Sequence, residues 1–317
     1  MAGQKIFTVN KPGVITSFQD MGRTGYQRFG VPVAGAMDVF AFQIANILVG
    51  NKRNEVCLEV TLIGPQLEAH YPITLAITGA DLQPSVNGKS VHMWETFTME
   101  EGDQLTFGKL QSGVRAYIAV AGGFAVPAIF GSKSMDMNSG LGYMLEKGEA
   151  IEGNPVASRS GIGLSRKVIP IYQKEIDVAI IEGPHTNLFT EADRQRFYQT
   201  TFIVGANSNR MGYRLEAADF QITPSGDIWS DATPFGGIQI PPNGQPIILM
   251  ADRQTTGGYP RIGTVISTDL PNIAQLPPQG KIRFYSISVE DAQQRLVKRE
   301  AFLERLETFR VGLEIGR

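Results

Sequence analysis

The chain has 317 residues, of which 42% are hydrophobic and 19% charged, and its formal net charge is −2 at pH 7. This composition is typical of a globular protein with a sizeable core, organised as one large domain or two ordinary ones. The balanced charge argues against nucleic acid or an anionic membrane surface as a partner. The N-terminal residues, MAGQKIFTVN, contain no apolar signal core, and no apolar run reaches the ~20 residues that a membrane helix needs. We therefore expect a cytoplasmic protein.

Strand-like segments dominate the chain. The 35 glycines and 18 prolines favour short strands joined by tight turns. The segment EVCLEVTL contains the single cysteine, Cys57, which we expect to be a small buried hydrophobic residue in a reducing compartment. The segments rich in β-branched and aromatic residues are, in chain order, KIFTV, VITSF, EVCLEVTL, ITLAITG, WETFTM, RAYIAVA, DVAIIEG, TFIVG, PIILMA, GTVIST and IRFYSIS.

Helices are few. Apolar residues at helical spacing predict an amphipathic helix over residues 36–49 that ends at Gly50. Two further helices carry N-terminal capping signals, and the second of them reaches about residue 309. Those signals are Thr190 with Asp193 and Ser288 with Asp291.

A polar, weakly periodic segment, NPVASRSGIGLSRKVIP (residues 154–170), predicts a domain boundary. We therefore expect an N-terminal β-rich half over residues 1–157. A C-terminal β-rich half would cover residues 158–317 and end in a helix. The boundary is approximate, and the two halves are free to interweave.

Two familiar kinds of site are absent from the sequence. The run Gly88-Lys89-Ser90 ends like a phosphate loop, but Gln83 stands where that loop needs a glycine, and Asn87-Gly88 predicts a hairpin turn instead. The histidines are scattered and have no partner at metal-ligand spacing, so neither a metal site nor a histidine relay is expected. Each is predicted to be a surface or turn residue: His70, His92 and His185.

Two polar, glycine-bearing loops are the best candidates for chemistry. DRQTTGGYP (residues 252–260) follows the apolar strand PIILMA, and QDMGRTGYQ (residues 19–27) has the same chemical character. Loops at strand ends are where a rigid scaffold presents functional groups, and a simple turn would not need an acid, a base, an amide, hydroxyls and a phenol together. The two loops suggest one polar site around Arg23 and Arg253.

Long motifs occur in a fixed order over nearly the whole chain. They are QDMGRTGYQRFGVPVAGAMD, FQIANILVGN, LEVTLIGP, ITGADL, NSNRMGYRL, GGIQIPPNGQPIILMADRQTTGGYPRIG and LPNIAQLPPQGKIRF. In these motifs the chain resembles the allophanate hydrolase subunit 2 family, also described as the biotin-dependent carboxyltransferase-like family. The resemblance implies a mainly β fold with a few helices, built from two cyclophilin-like β-barrel halves. It also implies a partner subunit, which is the B component or KipI-like protein.

The resembled family covers several activities. A free-standing chain of this length is most similar to the C component of an ATP-dependent 5-oxoprolinase, which opens the lactam 5-oxoproline to glutamate together with the A and B components and is inactive alone. One alternative is a KipA-type regulatory protein that binds a KipI-like inhibitor of a sporulation histidine kinase. Another is a urea/allophanate-type carboxyltransferase component. The ATP site is expected on a partner subunit or shared with it. Biotin is not expected, because SMDM has Asp136 where a carrier motif would hold lysine.

A lactam-opening site needs a cation for the substrate carboxylate, donors for the developing oxyanion and a carboxylate to activate water. Guanidinium groups grip carboxylates with two hydrogen bonds, and glycines let backbone N–H groups approach closely. The candidate catalytic residues are Asp252, Arg253, Asp20 and Arg23. The candidate substrate-binding residues are Gln19, Tyr26, Asp38, Glu59, Arg210, Gln239, Gln254, Thr255, Thr256, Gly257, Gly258 and Tyr259. No metal ligand is expected.

Each charged candidate also has a structural alternative. Asp20 would pair with Arg23 across the turn, and Asp252 with the adjacent Arg253. Asp38 would stabilise the N-terminal dipole of a helix. The remaining alternatives are a buried arginine partner for Glu59, a strand-end cap by Arg210, a backbone anchor by Gln239, and packing roles for Tyr26 and Tyr259.

Overall fold

The computed structural model describes residues 3–226 and 228–315. The chain forms two compact units. The first contains the residues up to Arg23, Ala34–Tyr172 and the residues from Ala301 onwards. The second contains Thr24–Val33 and Gln173–Glu300. The units are therefore interwoven in sequence, and their main division falls after residue 172 instead of residue 157.

The later division has a local cause. Residues beyond 157 form backbone hydrogen bonds with the first unit: Gly161 N donates to Thr96 O over 2.7 Å, and Leu164 N donates to Trp94 O over 2.8 Å. The glycine-bearing segment that suggested a linker is thus paired along a strand of the first unit. Its weak periodicity reflects irregular pairing and not a break between domains.

The first unit is built from two sheets and a helix. A six-stranded sheet has the order β11-β1-β4-β9-β6-β7, and a five-stranded sheet has the order β2-β3-β10-β5-β8. The strands are β1 (Gln4–Lys11), β2 (Ile15–Gln19), β3 (Cys57–Thr61), β4 (Gln66–Ala69), β5 (Ile73–Asp81), β6 (Ser85–Val86), β7 (Lys89–Ser90), β8 (Thr96–Met99), β9 (Gln104–Thr106), β10 (Ser112–Val120) and β11 (Ala150–Gly153), and the helix is α1 (Val39–Val49).

Two apolar clusters form the core of this unit. Residues from both sheets meet in the larger cluster, which includes Ile6, Leu58 and Ile118. The opposite face of the five-stranded sheet is covered by helix α1, and Cys57, fully buried as expected, belongs to that second cluster. Because residues alternate between the faces of a strand, the polar residues of β2, β3 and β10 on the helix side share one layer.

The second unit contains a closed barrel of seven strands in the order β12-β19-β16-β17-β14-β13-β20, and a two-stranded ribbon β15-β18. Its strands are β12 (Glu175–Glu182), β13 (Phe202–Val204), β14 (Gly212–Glu216), β15 (Asp231–Ala232), β16 (Gly237–Gln239), β17 (Ile247–Leu249), β18 (Thr256–Gly257), β19 (Arg261–Val265) and β20 (Lys281–Ser286). Its helices are α2 (Glu191–Gln199), α3 (Leu270–Ala274) and the start of α4 (Val289–Ile315). The prediction of a mainly β fold with a few helices is confirmed. The closed barrel lies in the second unit. The strands of the first unit form two separate sheets instead.

Local sequence signals correctly predicted where several secondary-structure elements begin or end. Helix α1 ends at Gly50, which has a left-handed φ of 83°. It begins at Val39 and not at residue 36, because Asp38 is the N-cap. The predicted capping box of Thr190 with Asp193 starts α2. The Asn87-Gly88 hairpin turn joins β6 to β7, as predicted.

Helix α4 is longer than expected, and its last turns complete the first unit. Leu303 is fully buried in the cluster beneath α1. Arg310 donates from Nε to Leu48 O over 2.9 Å and from Nη2 to Ser158 Oγ over 2.7 Å. An arginine at the C-terminal carbonyls of a helix is favoured by the helix dipole, so Arg310 stabilises the end of α1. None of the helices within residues 3–226 and 228–315 combines the length and apolarity that a membrane crossing requires.

Candidate functional site

A row of polar residues crosses the five-stranded sheet of the first unit. Strand pairing aligns Ser17 with Glu59, and Glu59 with Tyr117. Glu59 Oε2 accepts hydrogen bonds from the Tyr117 hydroxyl over 2.7 Å and from Met37 N over 2.9 Å. Its Oε1 lies 3.8 Å from Arg115 Nε. Glu59 is therefore a buried partner of an arginine, as one sequence alternative expected, and the tyrosine supplies a second donor.

Asp38 joins this row to the start of helix α1. Its Oδ1 accepts from Ala41 N over 2.9 Å as the helix cap, and its Oδ2 accepts from the Tyr172 hydroxyl over 3.1 Å. The backbone N of Asp38 donates to the Tyr117 hydroxyl over 2.7 Å. Burial, followed by the charges of Glu59 and Asp38, raises the pKa of Tyr117 well above its ordinary value. The phenol thus stays protonated and donates to Glu59.

The first polar loop is held by a serine-rich turn. Asp20 Oδ1 accepts from Ser132 Oγ over 2.7 Å and from Ser134 Oγ over 2.5 Å, while Oδ2 accepts from Lys133 N over 2.7 Å. The same carboxylate accepts from Gly22 N over 2.8 Å. These four donors satisfy Asp20, whereas the sequence alternative proposed a pairing with Arg23. The geometry favours a role in holding the loop.

Arg23 and Gln19 lie on either side of Asp20. The Arg23 side chain is buried, and it donates from Nη2 to Ser134 O and from Nε to Ile129 O over 3.5 Å. Gln19 is fully buried and donates from Nε2 to Ser17 Oγ over 3.0 Å and to Met135 O over 2.9 Å. Its Oε1 has no hydrogen-bond partner among the described residues. Both side chains mainly anchor the loop against the 129–135 segment.

The following turn does not fit a biotin carrier. Asp136 is fully buried, and its carboxylate accepts from Ser139 N over 3.2 Å and from Asn138 N over 3.4 Å. A carrier lysine must be exposed on a mobile turn to deliver its prosthetic group. The position that such a lysine would occupy in SMDM is instead a buried turn cap.

We predict that Tyr117→Phe destabilises the first unit by about 1–3 kcal/mol, because it removes a donor from a buried carboxylate and a backbone N–H loses its acceptor. Denaturant unfolding of the whole chain would measure the change in the free energy of unfolding. Tyr71→Phe, at an exposed position, is the matched control and should change stability little. Equal stability of the two variants would contradict the proposed importance of the row.

A buried ion pair fixes the start of the second polar loop. Arg210 Nε donates to Asp252 Oδ2 and Arg210 Nη2 to Asp252 Oδ1, each over 2.8 Å. Asp252 N also donates to Arg210 O over 2.8 Å. Asp252 therefore pairs with Arg210 and not with its neighbour Arg253. The two-pronged geometry gives both residues a structural role, since a buried carboxylate needs such partners.

Arg253 has a different environment. Its Nε donates to Thr233 O over 2.9 Å and its Nη1 to Met250 O over 3.3 Å, and the guanidinium lies 5.6 Å from the Phe235 ring centroid. Burial lowers the pKa of Arg253 to about 10, which leaves it charged at neutral pH. Within the described part of the chain, no carboxylate pairs with this cation. Arg253 is thus a partly buried charge available to an anion.

The glycine-rich part of the loop lies against the ribbon and the barrel. Gly257 pairs with Asp231 across β15 and β18. The Thr233 hydroxyl donates to Gln254 O, and Gln239, only 2% exposed, donates from Nε2 to Tyr259 O over 3.5 Å. Gln239 is therefore a backbone anchor, although its amide also faces Gly257. The other loop candidates are more exposed, namely Thr255, Thr256, Gly258 and Tyr259.

Sequence reasoning missed three residues next to this loop. Arg261 donates from Nη2 to Asp231 Oδ2 over 2.6 Å, and its backbone N donates to His185 Nδ1 over 3.2 Å. The accepted bond places the proton of neutral His185 on Nε2. Burial, then the Arg261 charge, lowers the pKa of His185. Arg261 stands near the end of one of the long motifs and was a detectable signal, whereas His185 is brought in only by the fold.

The candidates are divided between the units. Gln19, Asp20, Arg23, Asp38 and Glu59 belong to the first unit, whereas Tyr26, which precedes a short 3-10 helix, belongs to the second together with residues 210, 239 and 252–259. In the first unit, Tyr117 joins Asp38 to Glu59, whereas the 129–135 segment holds Gln19, Asp20 and Arg23. In the second unit, residue 210 precedes barrel strand β14, residue 239 ends β16 and residues 252–259 follow β17. A single site around Arg23 and Arg253 stays a prediction.

We predict that Asp252→Asn costs about 3–5 kcal/mol of stability, because it leaves the buried Arg210 charge uncompensated. Replacing both residues, as in Arg210→Met with Asp252→Leu, should recover part of this loss. Unfolding of the single and double variants in denaturant gives the coupling free energy. Additive losses would show that the two side chains do not depend on each other.

We predict a pH-dependent contribution from His185. Folding lowers the pKa of His185 below its ordinary 6.5, so the unfolded chain binds a proton more readily than the folded chain. The stability that neutral His185 contributes is therefore full above that pH and is lost progressively as the pH falls. The difference in unfolding free energy between the wild type and His185→Gln should therefore shrink or reverse as pH falls from about 7.5 towards about 5. A difference that does not change with pH would contradict the prediction. His92→Gln, at an exposed site, is the control.

Comparison with known proteins identifies the family of this chain. The family model of the carboxyltransferase domain, subdomain A and B, matches residues 29–286. The C component of 5-oxoprolinase from Escherichia coli (strain K12) is 34% identical over 300 residues, which cover 93% of this chain and 96% of that protein. The protein of the same name from Haemophilus influenzae (strain ATCC 51907 / DSM 11121 / KW20 / Rd) is 32% identical and is matched over 94% of its length.

A solved structure supports the same fold. The crystal structure of the K. lactis urea amidolyase matches 96% of this chain with a TM-score of 0.88 and 28% sequence identity. The chain spans only 20% of that longer protein. The similarity therefore concerns one region of the amidolyase and not the whole enzyme.

Proposed function

Because the chain belongs to the family of carboxyltransferase domains with subdomains A and B, we propose that it is the C component of an ATP-dependent 5-oxoprolinase. The observation that carries the proposal is similarity to proteins that bear this name, over nearly their whole length. In this reaction the chain acts with the A and B components, and ATP hydrolysis drives the opening of 5-oxoproline to glutamate. The chain alone is inactive.

The second-unit loop suits the substrate of this reaction. 5-Oxoproline carries a carboxylate and an amide carbonyl, which are both hydrogen-bond acceptors. Arg253 offers a guanidinium without a carboxylate partner among the described residues. A partly buried cation of this kind binds a carboxylate more strongly than a fully exposed one, because less competing water surrounds it. We assign Arg253 to the substrate carboxylate, and the neighbouring amides and hydroxyls to the rest of the substrate.

The first-unit candidates have a supporting role in this proposal. The carboxylates of Asp20, Asp38 and Glu59 are each satisfied by several donors of this chain. Asp252 is likewise held by Arg210. Because these carboxylates already hold structural contacts within this chain, we propose that the water-activating base comes from a partner subunit. The catalytic assignments of Asp20, Arg23 and Asp252 stay predictions.

ATP is proposed to bind on a partner subunit or at a surface shared with it. The one run of this chain that ends like a phosphate loop forms the β6–β7 hairpin, with Asn87 and Gly88 in the turn. It does not lead into a helix whose N-terminal N–H groups would hold phosphates. These residues do not fit the triphosphate, and no step is assigned to them.

A urea/allophanate-type carboxyltransferase component is the second candidate. The TM-score of 0.88 to the urea amidolyase favours it. The two functions differ in substrate, since the carboxyltransferase would move a carboxyl group carried by biotin. Because Asp136 stands where a carrier motif would hold lysine, this chain would need biotin from another protein.

Reconstitution tests the proposed function. The chain is combined with candidate A and B components, ATP and 5-oxoproline, and glutamate is measured. We expect glutamate only when all three chains are present. Equal glutamate without this chain, or biotin-dependent carboxylation of urea in its place, would overturn the assignment.

Arg253→Gln in the same assembly should raise KM for 5-oxoproline about tenfold to a hundredfold, the range expected for losing a charge-assisted hydrogen bond. Arg214→Gln is the control, because Arg214 is an exposed arginine of the same unit. An unchanged KM for Arg253→Gln would contradict the assignment of Arg253 to the substrate carboxylate. It would not contradict the proposed function of the chain.

A further inference from the structure

Two side-chain amides converge on one glycine of the second-unit loop. A Cβ added to Gly257 would lie 2.6 Å from Gln239 Nε2 and 3.3 Å from Gln254 Nε2, with Thr233 Cγ2 at 3.2 Å. Two NH₂ groups, from residues that are not neighbours in sequence, therefore meet where a side chain would otherwise stand. We call Gln239, Gln254 and Gly257 the paired-amide site.

Space, and not backbone conformation, favours glycine here. Gly257 is absent from the residues with a left-handed φ, and an added Cβ would displace the amide end of Gln239. The next residue, Gly258, has its nearest neighbouring atom 3.7 Å from an added Cβ and would accept one without strain. The loop thus keeps one position empty for the two amides and leaves the adjacent position unconstrained.

The two amides differ in how firmly they are held. Gln239 is 2% exposed on barrel strand β16, and its Nε2 makes one long hydrogen bond of 3.5 Å to Tyr259 O. Gln254 is exposed, and its side chain makes no hydrogen bond with any described residue. An NH₂ group has two protons, so both amides retain donor capacity towards a ligand.

The surrounding charges favour an acceptor. Arg253 adjoins Gln254 in the chain and has no carboxylate partner among the described residues. The two nearby carboxylates are neutralised, since Asp252 pairs with Arg210 and Asp231 with Arg261. The cation and the paired-amide site both adjoin Thr233, since Arg253 Nε donates to Thr233 O and Thr233 Cγ2 lies beside Gly257. Both of the nearby carboxylates are already occupied. Such an arrangement is the kind that stabilises developing negative charge on oxygen.

We infer that the paired-amide site binds the carbonyl oxygen of an amide substrate, with Gln239 and Gln254 both donating to it. This inference rests on the proposed function, which supplies a lactam as substrate. It makes the second-unit loop an oxygen-binding half of the active site. Arg253 contacts the carboxylate of the same class of ligand, and the base comes from elsewhere.

Direct binding tests the inference without requiring activity. Ligand-observed NMR on the full chain uses three probes at millimolar concentration: 5-oxoproline, 2-pyrrolidone, which has the lactam without the carboxylate, and proline, which has the carboxylate without the lactam carbonyl. Gly257→Ala should weaken binding of 5-oxoproline and 2-pyrrolidone about tenfold, the cost of losing one or two hydrogen bonds. Gly258→Ala, the matched control, should bind as the wild type does.

Gln254 provides an independent variant, because its exposed side chain can change without loss of the fold. Gln254→Glu replaces a donor by a charged acceptor and should weaken 2-pyrrolidone binding more than Gln254→Ala does. Proline should be unaffected by Gln254→Ala and Gly257→Ala but should respond to Arg253→Gln. Thermal unfolding of every variant separates misfolding from a lost contact.

Three results would overturn the inference. They are the absence of 2-pyrrolidone and 5-oxoproline binding by the wild-type chain, equal effects of Gly257→Ala and Gly258→Ala, and equal binding by Gln254→Glu and the wild type. The proposed function fails by a different result, the formation of glutamate without this chain. The two failures are therefore distinguishable.

Discussion

A carboxylate that leaves water must be given donors or a cation, and this requirement shapes both units. In the first unit, Glu59 and Asp38 are joined through the Tyr117 hydroxyl to the start of α1. In the second unit, the Asp252 carboxylate accepts hydrogen bonds from Nε and Nη2 of Arg210. Breaking such a buried pair costs more than forming it gains. These contacts therefore fix geometry more than they add stability.

The second-unit loop is held by several contacts, and it keeps one cation that has no carboxylate partner among the described residues. Arg210 holds the beginning of the loop, and the β15–β18 ribbon holds its glycines. The Arg253 guanidinium donates hydrogen bonds to two backbone carbonyls, which orient the group without cancelling its charge. A polar group presented on a fixed scaffold loses little freedom on binding, which favours affinity.

The sequence predicted the elements whose signals are local. The Gly50 end of α1, the capping box at Thr190 and the Asn87-Gly88 turn depend on neighbouring residues only, and the structure confirms them. Helix α3 has five residues, too few for a periodic pattern. The predicted site residues also lie near polar partners, but the partners themselves were not predictable. Asp20 bonds Ser132 across 112 positions, and Arg210 bonds Asp252 across 42. Only the folded chain brings such pairs together.

The last turns of α4 carry a consequence for synthesis of the protein. Leu303 and Arg310 complete the core and the helix end of a unit whose other residues were made much earlier. While the ribosome is still adding residues 173–300, the apolar surface beneath α1 lacks its final cover. The first unit therefore gains the contacts of Leu303 and Arg310 only after all its earlier residues have been made. In the second unit, the parallel pairing of β12 with β20 closes the barrel, and both strands are made before Leu303.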